Sequence, residues 1–354
     1  MEEKQEKIGF FKKWYIYQKE RFPVITFLFY VLCIVLGTFI IMNYCMGQGT
    51  IFFKLSPELI VEKAEIIKNP TLLINYDSIK TIVVMLLCGF LQFLMVRIVD
   101  EFKDYEEDCK YRPYRPVPRG LISLTELKGL FVICFIAQVL LTYFFGGDFI
   151  ALALLWVVFF LMTKGFFIKN FLDKHLIFEV VLDELMMPVM VIYLASFVIK
   201  DSIIWEILFN TPSYIGAYTT EWIEIGYKFQ IAFLTFLILS YFCSCIAEVS
   251  RKIRSKDKEE KGVKTYTAVF GIPKATLLLS VIEICAFACQ YVIIGQEKYL
   301  ILFIVLIIPL FCNIMFNFKP EHKVSKMVEL MGNLYIAFSY LSMFLLYSGY
   351  TFIN

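Results

Sequence analysis

Charge is scarce in this chain. Asp, Glu, Lys and Arg make up 19% of its 354 residues, against about a quarter in an ordinary soluble domain. The charges clump between long apolar runs, each near the roughly 20 residues that cross a bilayer as a helix. That pattern excludes a soluble globular fold. Strict apolar–polar alternation is also lacking, which excludes a membrane β-barrel. No cleavable signal is evident: the run after Pro23 is too long for a signal core and lacks a small-residue cleavage site. Residues 1–23 therefore read as an amphipathic arm. Paired cysteine motifs are missing too. Cys33, Cys45, Cys88, Cys134, Cys243, Cys245, Cys285, Cys289 and Cys312 lie inside apolar runs, as packing residues, and Cys109 has no CxxC partner. The net charge of +2 is too small to suggest a nucleic-acid partner.

What is present is an apolar chain, 59% hydrophobic, and it reads as an all-α membrane protein. Nine spans are expected, near 24–46, 79–99, 123–145, 148–168, 176–199, 229–247, 274–294, 299–318 and 329–351. Lys and Arg orient them. With the N-terminus cytosolic, the inside segments hold about 26 of the 34 basic residues, which by the positive-inside rule places the C-terminus on the opposite side. Two outside segments, 47–78 and 200–228, are long enough for short helices of their own. No internal repeat is obvious, although the spacing of the two most charged loops suggests two four-helix units and a ninth helix. Residues 24–351 read as one polytopic domain, with charged loops at 97–122 and 248–273.

The first loop reads RIVDEFKDYEEDCKYRPYRPVPRG from Arg97. Asp100, Asp104 and Asp108 recur at i, i+4 and i+8; Glu101, Asp104 and Asp108 recur at i, i+3 and i+7. Either set stacks carboxylates on one helical face. Such a stack repels itself unless cations intervene, and Mg²⁺ suits a site of one or two carboxylates plus phosphate oxygens. Arg112, Arg115 and Arg119 follow, separated by Pro113, Pro116 and Pro118, which end the helix and stiffen the turn. Guanidinium groups grip phosphate through paired hydrogen bonds. Ser123 and Glu126 have capping-box spacing for the third span. Acids for a metal beside arginines for phosphate describe a diphosphate site; a solvated acidic helix end is the plainer alternative.

These residues resemble the first motif of the UbiA-type intramembrane prenyltransferases, NDxxDxxxD followed by an Arg-Pro-rich turn. Here it reads DExxDxxxD over Asp100–Asp108, then RPYRPVPRG over Arg112–Gly120. The resemblance puts Glu101, Asp104 and Asp108 at the family's metal-coordinating positions, with Asp100 in place of Asn and Glu101 in place of Asp. It implies a helical bundle around a central lipid-accessible cavity. It also implies Mg²⁺, a prenyl diphosphate and a lipophilic or aromatic acceptor among membrane lipids.

In the second loop, EVSRKIRSKDKEEKGVKTYTAVFG, Gly262–Thr265 and Gly271 match the downstream half of the family's second motif. Its two aspartate positions hold Arg254 and Lys258 instead. Glu248, facing with Arg251 at i and i+3, is the preferred substitute; Asp257 and Glu260 come second, and a solvated mixed-charge loop is the bland reading. The catalytic set expected is Asp104, Asp108 and Glu248. The metal set adds Asp100, Glu101 and Asp257, and Arg112, Arg115, Arg119, Lys252 and Arg254 are expected on the diphosphate. Asp183 and Glu184, inside the fifth expected span, are candidates for binding acceptor or cation, or for a helix–helix hydrogen bond. His175 reads as structural, and Lys164 and Lys169 as headgroup anchors. The chemistry implied is prenyl transfer with release of pyrophosphate. The alternative is a transporter or a lipid-binding or structural protein that keeps the fold without transferase activity.

Overall fold

The computed structural model describes residues 9–54, 71–74, 76–199, 205, 220–260, 263–347 and 349–352. The expected segments 47–78 and 200–228 lie largely outside them. An amphipathic helix, α1 (Phe10–Arg21), leads into α2 (Val24–Lys54). Then come α3 (Tyr76–Lys103), the short α4 (Tyr105–Tyr111), α5 (Leu124–Phe145) and α6 (Phe149–Thr163). The chain continues through α7 (Lys169–Leu172), α8 (Leu176–Asp183), α9 (Met186–Ala195) and α10 (Thr220–Arg251). It ends with α11 (Tyr266–Phe270), α12 (Ile272–Ile294), α13 (Tyr299–Phe318) and α14 (His322–Leu341). A four-residue strand before α3, β1 (Thr71–Ile74), pairs in parallel with β2 (Gly349–Phe352) near the end of the chain.

Among the described residues, 7 helices are long and apolar enough to cross a membrane, rather than nine. The two shortfalls have local causes. The expected span 148–168 is a helix of 15 residues, about 22 Å long and short of the roughly 30 Å hydrocarbon core. It stops because Gly165, Phe166 and Phe167 all take positive φ, which ends right-handed helix. The expected span 176–199 breaks into α8 and α9 at Glu184 and Leu185. Pro188 has no N–H to offer the Glu184 carbonyl four residues back, and that oxygen accepts from Met187 instead, at 3.1 Å.

Helix α10 is central: it packs against α2, α9, α12 and α14. Phe233 and Phe236 of α10, Tyr335 and Tyr340 of α14, and Ile34 and Ile40 of α2 are fully buried there. The close approach of α2 to α14 needs Gly37, where an added Cβ would lie 3.0 Å from Tyr340; small residues permit such contacts between apolar helices. Some polar groups at depth are paired, as lipid favours: Trp156 donates to Gln138 at 2.9 Å, and Asn313 to Glu283 at 2.8 Å.

Helix α1 is bound to the first charged loop. Tyr17 packs with Ile98, Val117, Ile122 and Leu127 in a separate small core. Lys13 pairs with Glu126, and Arg119 with Glu20 at 2.9 Å. The capping box forms as expected: Ser123 Oγ accepts from the Glu126 N–H at 3.2 Å, and Glu126 Oε2 accepts from the Ser123 N–H at 3.0 Å. Ser123→Ala is expected to cost about 1 kcal/mol, read from the denaturation midpoint in detergent. An unchanged midpoint would show that the cap carries no stability.

Candidate active site

The first acidic motif sits at the end of α3, and the helix splits its carboxylates between two faces. Glu101 and Asp108 turn toward the arm and are buried, 2% and 1% exposed. Glu101 accepts from Arg21 at 2.5 Å and Arg97 at 3.2 Å. Asp108 accepts from Arg112 at 2.9 Å and from Arg115 at 2.7 and 2.5 Å, with Arg21 at 3.8 Å. Two expected metal ligands are thus the centres of an arginine cage that ties the arm, α3 and the Arg-Pro turn together. Spacing gave no sign of Arg21, which reaches Glu101 across 80 residues of sequence.

Asp100 and Asp104, one turn apart, are left open. The Asp100 side chain is 38% exposed, and its nearest cation, Arg97, is 3.7 Å away. Asp104 lies at the bend between α3 and α4, in the N-cap position of α4, but its carboxylate caps nothing. That carboxylate makes no hydrogen bond or ion pair among the described residues.

The second loop supplies the opposite wall. Glu248, in the last turn of α10, accepts from Arg251 and from Lys252 at 2.6 Å. Arg251 lies in the electrostatic field of Asp100 and Glu184 as well as that of Glu248. Asp183, at the helix break, feels Lys103, Glu179, Glu248 and Asp100. Glu184 is fastened to Ser244. The acids of both loops therefore gather with those of the broken helix at one end of the bundle.

Glu260 joins the loops, 3.3 Å from Arg112 and 3.5 Å from Arg254. Glu259 holds the second loop in shape, accepting from Thr265 at 2.7 Å and Thr267 at 2.8 Å. Lys264 donates to the Asp173 carbonyl at 2.6 Å. Gly262 lies outside the described residues. Asp257 is exposed, and the neighbouring Ser255 hydroxyl helps hold its carboxyl below the usual range. Its charged neighbours are Lys258 and His322, so it stands apart from Asp100 and Asp104.

No group of three or more His, Cys, Asp or Glu arranged to hold a metal ion occurs among the described residues. The expected set is dispersed: Glu101 and Asp108 lie in the arginine cage, Asp257 at the surface, Glu248 on Arg251 and Lys252, and Asp100 and Asp104 stay open where α3 gives way to α4. The open Asp100–Asp104 pair fits Mg²⁺ in donor chemistry. It offers oxygen ligands only, and that ion is commonly held by one or two carboxylates with water and substrate phosphate completing the shell.

An α-helical bundle with acids and bases gathered at one end of apolar helices defines an integral membrane protein with a charged site at one end. The UbiA prenyltransferase family model matches residues 74–328, and the chain belongs to that family. It is an integral membrane protein. A solved structure described as giving insight into digeranylgeranylglyceryl phosphate synthase in membranes resembles it with a TM-score of 0.49 and 14% identity, covering 94% of this chain and 98% of that one. No curated protein matches the chain.

Proposed function

We propose that this protein transfers a prenyl group from a prenyl diphosphate to a lipophilic or aromatic acceptor, with Mg²⁺, releasing pyrophosphate. The observation that carries the reading is the open Asp100–Asp104 pair, with Arg251 at the end of α10 in the field of Asp100. Asp100 and Asp104 would hold the metal and Glu248 would add a carboxylate, with Arg251 and Lys252, its present partners, available to the diphosphate. Bound there, the metal supplies charge neutralisation for the departing diphosphate. The allylic C–O bond breaks with its electron pair going to diphosphate. The acceptor's nucleophile then bonds to the allylic carbon and loses its proton.

Arg112 and Arg254, held at the mouth through Glu260, add positive charge as the leaving group develops its own. The prenyl tail lies along apolar walls. A crevice of about 280 Å³ lies between α3, α5 and α6, lined by Met95, Val99, Phe131, Phe135, Trp156 and Phe159. Such walls exclude water, which would otherwise capture the allylic cation. The site loops and N-terminus face the cytosol in this reading, by the bias of Lys and Arg. Pyrophosphate release from prenyl diphosphates of several lengths, with a membrane lipid extract as acceptor source, tests it.

A further inference from the structure

Tyr266 opens α11, between the Glu259-bound loop and α12. Its position is fixed from several sides. Its backbone N–H donates to the Lys252 carbonyl at 3.2 Å. On one flank Thr265 caps the helix by accepting from the Ala268 N–H at 3.1 Å. On the other, Thr267 accepts from the Arg254 N–H at 3.0 Å. Both threonines also donate to Glu259.

The ring is fully buried and stacks on Phe270. Its hydroxyl, however, is buried with no hydrogen-bond partner. An unpaired buried donor is destabilising, a cost that phenylalanine of the same shape would avoid.

The surroundings indicate what the hydroxyl is for. Tyr266 lies in the field of Glu248 on α10, Glu179 on α8 and Glu184 at the helix break. Burial, followed by these three carboxylates, pushes its phenol well above the ordinary value. The phenol therefore stays protonated and can only be a donor toward an anion. None of the three carboxylates takes its hydrogen, so a rigidly placed donor waits in the field of Glu248, on a residue whose backbone is tied to Lys252.

We propose that the Tyr266 hydroxyl donates a hydrogen bond to an oxygen of the substrate's diphosphate, next to Glu248 and Lys252. This rests on the prenyl-transfer reading above. Sequence spacing did not single out Tyr266; only its missing partner does. The bond is made to product pyrophosphate as well as to substrate, so a non-reacting probe can measure it.

The test compares wild type and Tyr266→Phe in detergent, titrating each with pyrophosphate in the presence of Mg²⁺ and measuring apparent melting temperature without ligand. A hydrogen bond to a charged acceptor contributes enough that its loss should weaken pyrophosphate binding about tenfold. The ligand-free melting temperature should hold or rise, because an unpaired hydroxyl has been removed. Equal affinity in the two proteins would overturn the assignment. So would a lowered melting temperature with unchanged affinity, the mark of a purely structural hydroxyl. Failure of wild type to bind pyrophosphate would instead sink the prenyl-transfer reading, and this assignment with it.

Discussion

Asp104→Asn is expected to lower Mg²⁺-dependent pyrophosphate release on the order of 10³-fold while leaving the apparent melting temperature where it was. The magnitude follows from the several kcal/mol that a metal contributes to a leaving group's developing charge, at about 1.4 kcal/mol per factor of ten. The unchanged stability follows from geometry. The Asp104 carboxylate caps nothing and pairs with nothing among the described residues, so asparagine costs the ligand-free fold no contact and relieves repulsion with Asp100. Release at the wild-type rate would show that the metal sits elsewhere.

Asp108→Asn should behave in the opposite way. Its carboxylate is 1% exposed and receives hydrogen bonds from both Arg112 and Arg115. Removing one member of a buried ion pair strands the other charge, a loss of about 3–5 kcal/mol. A large fall in melting temperature is therefore expected, with activity falling because the Arg-Pro turn loses its anchor. If Asp108 were instead a metal ligand, the substitution would abolish turnover and leave melting unchanged. The pair of variants thus separates two carboxylates that spacing places on one face.

That separation marks where the sequence stops being informative. The motif's residue types and its place after the second span are legible, because the acids and the Arg-Pro turn lie together in one short stretch at the end of an apolar helix. The capping box at Ser123 is legible for the same reason, being local. Which carboxylate stays open is not local: Glu101 is claimed by Arg21, from a helix at the other end of the first apolar run. Nor is Glu260's bridge between loops visible in a line of sequence, since Arg112 lies far upstream. The broken helix at Glu184 was signalled by Pro188, but an apolar run on both sides hid it. Tyr266 had no signal at all, because a buried tyrosine without a partner reads as any other aromatic.

The central claim is that the open acids of the first loop run metal-dependent prenyl transfer. The direct measurement is pyrophosphate release by purified wild type supplied with prenyl diphosphate and membrane lipid extract, after EDTA treatment and again after Mg²⁺ is restored. The account predicts no release without metal, and with Mg²⁺ release matched by label appearing in a more hydrophobic lipid. Release that ignores EDTA, or prenyl diphosphate left intact and unbound in the presence of Mg²⁺, would contradict it.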